Sequence, residues 1–327
     1  MRISVIIPTY KRPGSLLKCL GSLQHQTYND FEILVVDNDA DPATRRLVTS
    51  FAEEALIAIR YLPEPELGVH YARNSAVDKA SGDLLLYTDD DVSFAGNWVN
   101  AYALSFSENS QMAAAGGPVR PVWEVQPPQW LVDFIGSSKV FPILSFMEPF
   151  ETFRLSAEGF FFSCNMAIRK SVLKSCGGFH PEATGKIWLG DGETGLNRKL
   201  WEKGMLIGYV PEALVYHHIP PERMTPEYFC RRMANEGNCA EYAYFHKGIT
   251  GIRQLSIRQL YLFARLLSVW GSALSNIIHR DPFARLRTRM YIHHYLSRIR
   301  YVARLSRDKS LQELVLRDNW LSSPNRT

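Results

Sequence analysis

The apolar positions of the first hundred residues alternate between two spacings. Ile3 to Ile7 is a short apolar stretch stopped by Pro8, which reads as a buried strand, and Leu16, Leu20 and Leu23 then recur at helical spacing. "FEILVVDN" is a second apolar strand that ends in acid, and Ile57 to Leu62 is a third. Val69 to Ala80 has the spacing of a helix, and Gly82 turns the chain into a fourth strand, Asp83 to Thr88. Alternating strands and helices predict an α/β fold built on a mostly parallel sheet. Ligands of such sheets gather at the carboxyl ends of the strands, where Asp37 and the triplet Asp89, Asp90 and Asp91 both fall.

The pattern changes after residue 118. "GGPVRPVWEVQPPQWLVDF" holds four prolines together with Trp123 and Trp130, and reads as a loop carrying aromatic surface. "GFFFSCNMAIRKSVL" predicts a central strand leading into a short helix, and "GMLIGYVPEALVYHH" two short strands broken around Pro211. From Thr225 onward the pattern is helical, with Thr225 and Pro226 placed as a capped start. Gln259 to Ile278 is largely apolar, but Arg265 and its short length favour an interfacial or packed helix over a membrane span. The expected division is a catalytic domain over 1–224, with a donor half 1–118 and an acceptor half 119–224, followed by a basic helical extension over 225–327.

Charge sharpens that division. Residues 251–327 carry 14 Lys/Arg against 4 Asp/Glu, a net of +10, which leaves −6 on residues 1–250 of a chain whose net charge is +4. Basic residues interleaved with Leu260, Leu262, Phe263, Leu266, Leu267 and Trp270 suit an anionic membrane surface or a partner helix better than DNA. No zinc spacing or nucleic-acid reader motif accompanies them, so no nucleic-acid partner is expected. The five cysteines include no CxxC pair and fit a reducing compartment. The apolar stretch at the N-terminus is too short for a signal peptide, so the catalytic part is expected to be cytoplasmic and peripheral on the inner face of the membrane.

Adjacent carboxylates repel one another, and a buried one needs a cation or strong hydrogen-bond donors. Asp89 and Asp91 at a strand end offer two hard oxygen ligands suited to Mg2+ or Mn2+, which can bridge a diphosphate; the alternative is a solvated loop. Asp37 and Asn38 close the second strand, where they can bond a base or sugar hydroxyls. Arg73, early in a helix, can meet phosphate or form a salt bridge to one of the aspartates.

The ordered set "ISVIIPTYKR", Gln26 and Thr27 before "FEILVVDN", "GVHYARN" and "ASGDLLLYTDDD" resembles family 2 glycosyltransferases of the GT-A fold, over about Met1 to His218. The resemblance implies a Rossmann-like nucleotide-diphospho-sugar transferase fold and a metal-dependent, inverting enzyme. It would use a nucleotide-diphosphate sugar, UDP-linked, and a glycan or lipid-linked acceptor of cell-surface polysaccharide synthesis. Carried onto this chain, Pro8, Thr9 and Tyr10 line the nucleotide pocket with Asp37, and Arg12 and Arg73 belong to the same donor set. Asp89 and Asp91 form the metal and diphosphate motif with Asp90 between them. In "GDGETGLNRKL", Leu196 and the basic pair Arg198 and Lys199 place Glu193 at the general-base position. Gly192 stands where an acid is usual, and Asp191 remains a rival. His217 matches a histidine that completes the nucleotide or metal site, with His218 as the neighbouring alternative. Trp188 and Leu189 are placed to meet the acceptor.

Rival enzyme classes lack their phosphate loops. A sugar nucleotidyltransferase would show a glycine-rich basic loop after the first strand, but "PTYKRPGS" holds only Gly14, and a dehydrogenase would show GxGxxG. A non-enzymatic membrane or nucleic-acid module would have to rest on the tail alone. Oligomeric state is left open, a homo-oligomer included.

Overall fold

The computed structural model describes residues 1–184, 187–248, 251–278 and 282–321. Its first half is built from β1 (Ile3–Thr9), α1 (Pro13–Leu23), β2 (Phe31–Asp37), α2 (Pro42–Glu54), β3 (Ala58–Pro63), α3 (Val69–Lys79) and β4 (Leu84–Thr88). The four strands are parallel in the order β3-β2-β1-β4. Every residue of β1 and β2 is buried, because helices cover both faces of the sheet. The pleat divides the apolar residues between two cores. Ile3, Val5 and Ile7 pack with Leu16, Leu20 and Leu23 of α1, whereas Ile6, Leu34 and Val36 pack with Ala72, Ala76 and Val77 of α3.

β5 (Val92–Phe94), α4 (Trp98–Glu108), β6 (Met112–Gly116) and β7 (Val119–Trp123) follow. The strand Asn165–Arg169 inserts antiparallel between β4 and β6, and Leu206–Tyr209 runs parallel to β6. With Arg154–Ser156 at the edge, the sheet has eight strands. A second sheet pairs β5 and β7 with Val215–Ile219, in a register that sets His217 opposite Val92. That register carries His217 to the end of β4.

The proline-rich middle departs from the loop expected of it. Trp123 ends β7, and Trp130 lies in the helix Gln129–Ile135, where it packs edge-on against Phe229 at 5.5 Å. The prolines stand outside or at the ends of these elements or on a sheet strand, and the aromatics are covered by the helix Pro226–His246, which no local pattern reveals.

Three further helices follow, Gly251–Ile278, Ala284–Leu305 and Lys309–Leu316. Their core joins Tyr242, Leu262 and Tyr301 to Tyr71 and Leu189 of the sheet domain. Buried Glu241 accepts from Arg258, at 3.0 Å to each oxygen, and from Arg298 at 2.7 Å, so two arginines of the basic tail serve the helix packing. Leu255, Leu262 and Val269 form the inward stripe of Gly251–Ile278, and Leu266 packs against the same core. Leu260, Phe263, Leu267 and Trp270 are exposed, so the six apolar residues read as one surface are divided between two faces. No described helix is long and apolar enough to cross a membrane.

One buried charge fixes the lower edge of the sheet. Burial alone would raise the Glu32 carboxyl, but hydrogen bonds from the Ser81 hydroxyl and amide, from Ser4 and from Arg60 outweigh it and bring the group from 4.5 to about 2. A folded value below the unfolded one stabilises the protein above pH 4.5, and the gain is lost as pH falls toward 2. It amounts to about 3 kcal/mol at neutral pH and roughly 1 kcal/mol less at pH 4. Urea unfolding of Glu32→Gln should therefore show a stability deficit that narrows between pH 7 and pH 4. A deficit independent of pH would remove the ionised carboxylate from this role.

Candidate active site

The carboxyl ends of β1 and β4 and the N-terminus of α3 open onto a cavity of about 390 Å3. Pro8 and Thr9 of β1 line it with Tyr10 and Arg12 just beyond that strand, Asp89 and Asp91 just beyond β4, and His70 and Arg73 of α3. Gly68 precedes α3 at φ 145°, a conformation that favours glycine, and its amide donates to Asn38 Oδ1 at 2.7 Å. Asn38 also donates to the carbonyls of Glu64 and Glu66, so the residue after β2 holds the loop that aims α3 at the cavity.

The three adjacent aspartates are given separate partners. Asp89 accepts from Arg73 Nη2 at 2.6 Å. Asp90 is fully buried, accepts from the Thr9 hydroxyl at 2.8 Å and lies 2.8 Å from Arg12 Nη2. Asp91 accepts from Arg12 Nη1 at 2.8 Å and from Arg223 Nη2 at 2.9 Å. Burial pushes Asp90 up to about 7, with the Asp91 and Asp89 charges adding to it and Arg12 and Thr9 opposing. Burial acts the same way on Asp91, but the Arg223 and Arg12 guanidinium groups oppose it and the carboxyl lies below its usual range.

Asp91 and His217 fit a divalent cation. The His217 Nδ1–H donates to the Leu144 carbonyl at 3.1 Å, which leaves the lone pair on Nε2. Nε2 lies 3.6 Å from Asp91 Oδ1, a buried oxygen with no hydrogen-bond partner among the described residues. Arg223 Nη1 donates to Nε2 at 2.8 Å, so a guanidinium already supplies positive charge between the two groups. His218 points the other way, as strand alternation requires, and bonds Ser93 at 3.0 Å. Asp89 is on the same cavity wall, engaged by Arg73.

The same cavity is lined by Glu193, on the first turn of the helix Gly192–Glu202. Its Oε2 accepts from the Ser163 hydroxyl and lies 3.9 Å from Arg73 Nη1. Asp191 is two residues away in sequence and in a different environment. It is buried, accepts from His180 Nδ1 at 2.9 Å and Arg198 Nη2 at 2.7 Å, and does not line the cavity. Those partners hold its carboxyl below the usual range against the effect of burial. Glu182 and Arg232 also line the cavity. Burial and the Glu193 charge push Glu182 up to about 7, while Arg232 and Arg73 oppose them.

Two expected contacts take other positions. Asp37 does not reach the cavity, because its oxygens accept the amides of Asp39 and Asp41 and the Tyr61 hydroxyl at 2.9–3.0 Å. Leu189 belongs to the core shared with the C-terminal helices, and its carbonyl accepts from the Tyr301 hydroxyl at 2.8 Å. The Trp188 side chain lies outside the described residues. Arg223, Arg232, Glu182 and Ser163 line the cavity without having been found from sequence. The only local signal was the pair of prolines, Pro220 and Pro221, that stops the strand bearing His217 and turns Arg223 back toward it.

Residues 4–177 match the family profile described as Glycosyl transferase family 2. The succinoglycan biosynthesis protein ExoM of Rhizobium meliloti is 26% identical over 244 residues, covering 72% of this chain and 73% of that protein. The structure is similar to a mannosyltransferase from Pyrobaculum calidifontis in complex with GDP-Man and Mn2+, with a TM-score of 0.59 and 18% identity over 93% of this chain and 86% of that one. It is also similar to residues 1–349 of TarS from S. aureus in complex with UDP, with a TM-score of 0.50 and 16% identity over 92% and 91% of the two chains.

Proposed function

Because the chain belongs to glycosyl transferase family 2 and carries a GT-A fold with a C-terminal helical region, we propose that it transfers a sugar with inversion from a UDP-linked donor to a hydroxyl of a glycan or lipid-linked acceptor in cell-surface polysaccharide synthesis. The observation that carries this reading is one cavity lined by two chemically different sets of groups. One set is Asp89, Asp91, His217 and the guanidinium groups of Arg12 and Arg223, and the other is Glu193 with its partners Ser163 and Arg73.

Asp91 Oδ1 and His217 Nε2, with Asp89 beside them, would hold Mn2+ or Mg2+, which when bound neutralises charge on the diphosphate. Pro8, Thr9 and Tyr10 frame the nucleotide, and Arg12 and Arg223 are placed to pair with phosphate oxygens. Glu193 Oε2 takes the proton of the acceptor hydroxyl as that oxygen bonds to the anomeric carbon. The bond from that carbon to the diphosphate oxygen breaks on the opposite face, and the nucleoside diphosphate leaves with the bonding pair. Ser163 and Arg73 orient Glu193 for this role.

The acceptor is proposed to be met at an anionic membrane surface, with the protein cytoplasmic and peripheral. Exposed Leu260, Phe263, Leu267 and Trp270 on a basic tail support this reading. Calorimetry with Mn2+ should show UDP binding at least 10-fold tighter than GDP, and product assays should favour lipid-linked over soluble acceptors. A GDP preference would move the donor to a GDP-sugar, turnover on soluble oligosaccharides alone would remove the membrane, and no binding of either nucleotide would overturn the assignment.

A further inference from the structure

A second group of ligand atoms lies outside the cavity, where the end of the described chain meets the sheet domain. His180 Nδ1 donates to Asp191 Oδ1 at 2.9 Å, and His246 Nδ1 donates to the Val315 carbonyl at 2.6 Å. Each bond fixes its ring and leaves the lone pair on Nε2, the arrangement in which protein histidines ligate metals. His180 Nε2 is buried and has no hydrogen-bond partner among the described residues. It lies 3.7 Å from Asp318 Oδ1, and His246 Nε2 lies 3.6 Å from the same oxygen. Ligand atoms from all three residues lie within 4.8 Å of one another. The 3.6–3.7 Å distances are too long for hydrogen bonds but close to the ligand-to-ligand edge of about 3.4 Å in a tetrahedral site with bonds near 2.1 Å.

We propose that His180, His246 and Asp318 form a structural site for a zinc-type divalent cation that clips the C-terminal segment to the catalytic domain. Two imidazoles and one carboxylate suit Zn2+ better than Mg2+, and the exposed side of Asp318 leaves a fourth position to water. The segment is already laid in place. The Trp320 amide donates to the Gly177 carbonyl at 2.8 Å, and a Cβ on Gly177 would come within 2.8 Å of the Asp318 carbonyl oxygen. Lys199 Nζ, 3.0 Å from Asp318 Oδ1, is the competing cation and also donates to the carbonyls of Cys176 and Asp318. Through His180 and Asp191 the clip reaches the start of the helix that bears Glu193.

The test uses the full chain carrying Asp91→Asn, so that the cavity's own cation site is disabled and failure here leaves the catalytic reading untouched. After incubation with Zn2+ and gel filtration, this protein should retain one zinc per chain. Co2+ in its place should give the visible absorption of a tetrahedral site. Adding Asp318→Asn or His246→Gln, each checked for native far-UV circular dichroism in chelator, should weaken zinc binding by at least roughly 10- to 100-fold. No retained zinc and no cobalt spectrum in the Asp91→Asn protein would overturn the proposal. So would unchanged zinc affinity in the two folded double variants.

Discussion

Glu193→Gln lowers turnover by roughly 100-fold or more while nucleotide affinity changes little. The amide keeps the shape of the side chain but cannot take the acceptor proton. Among the described residues no hydrogen bond or ion pair joins Glu193 to Asp91 or His217, and its side-chain partners are the Ser163 hydroxyl and the Arg73 guanidinium. The loss should therefore appear in turnover and leave donor binding intact, a split measured by steady-state kinetics beside calorimetry. Asp191→Asn is the comparison. Its carboxylate is committed to His180 and Arg198, so that variant should lose thermal stability before it loses chemistry. If Glu193→Gln retained wild-type turnover while Asp191→Asn lost it with donor binding intact, the base would pass to Asp191. If Glu182→Gln alone produced the turnover loss, the base would be Glu182, which lines the same cavity and whose carboxyl burial and the Glu193 charge push up to about 7.

Asp91→Asn should be as severe and differ in kind, since donor affinity and turnover fall together, turnover by roughly 100-fold or more. The substitution removes the charge that meets Arg12 and Arg223 and weakens the one oxygen that faces His217 Nε2. The dependence on divalent ion should weaken with it. Titration of activity against Mn2+ and Mg2+, with chelator as the zero point, measures this directly. Full activity of the unaltered chain in chelator would take the metal out of the reaction, and a wild-type metal titration in the variant would take Asp91 out of the site.

The parallel half of the fold was readable in the sequence because each of its decisions is local. Ile3 to Ile7 and "FEILVVDN" are too apolar and too short for anything but strands buried on both faces, and Leu16, Leu20 and Leu23 can share one face only in a helix. The placement of Asp89, Asp90 and Asp91 at a strand end followed from the same pattern. What each aspartate does there did not, because the partners come from residues 9, 12, 73, 217 and 223, and only the closed sheet brings these together. Which of His217 and His218 faces the cavity is set by the register of Val215–Ile219 on β5, since one residue of slip would exchange their faces. Spacing alone could not separate the surroundings of Glu193 and Asp191. Packing buries Asp191 against His180 and Arg198 and leaves Glu193 lining the cavity. The basic tail was legible as charge, but not as structure: Arg258 and Arg298 face inward because Glu241, on another helix, is buried between them. Sequence determines which segments must be buried and where acid can collect, because periodicity and solvation act over a few residues. The partner of each charge is decided only in the folded chain, because Coulomb and hydrogen-bond energies depend on distances that contacts remote in sequence create.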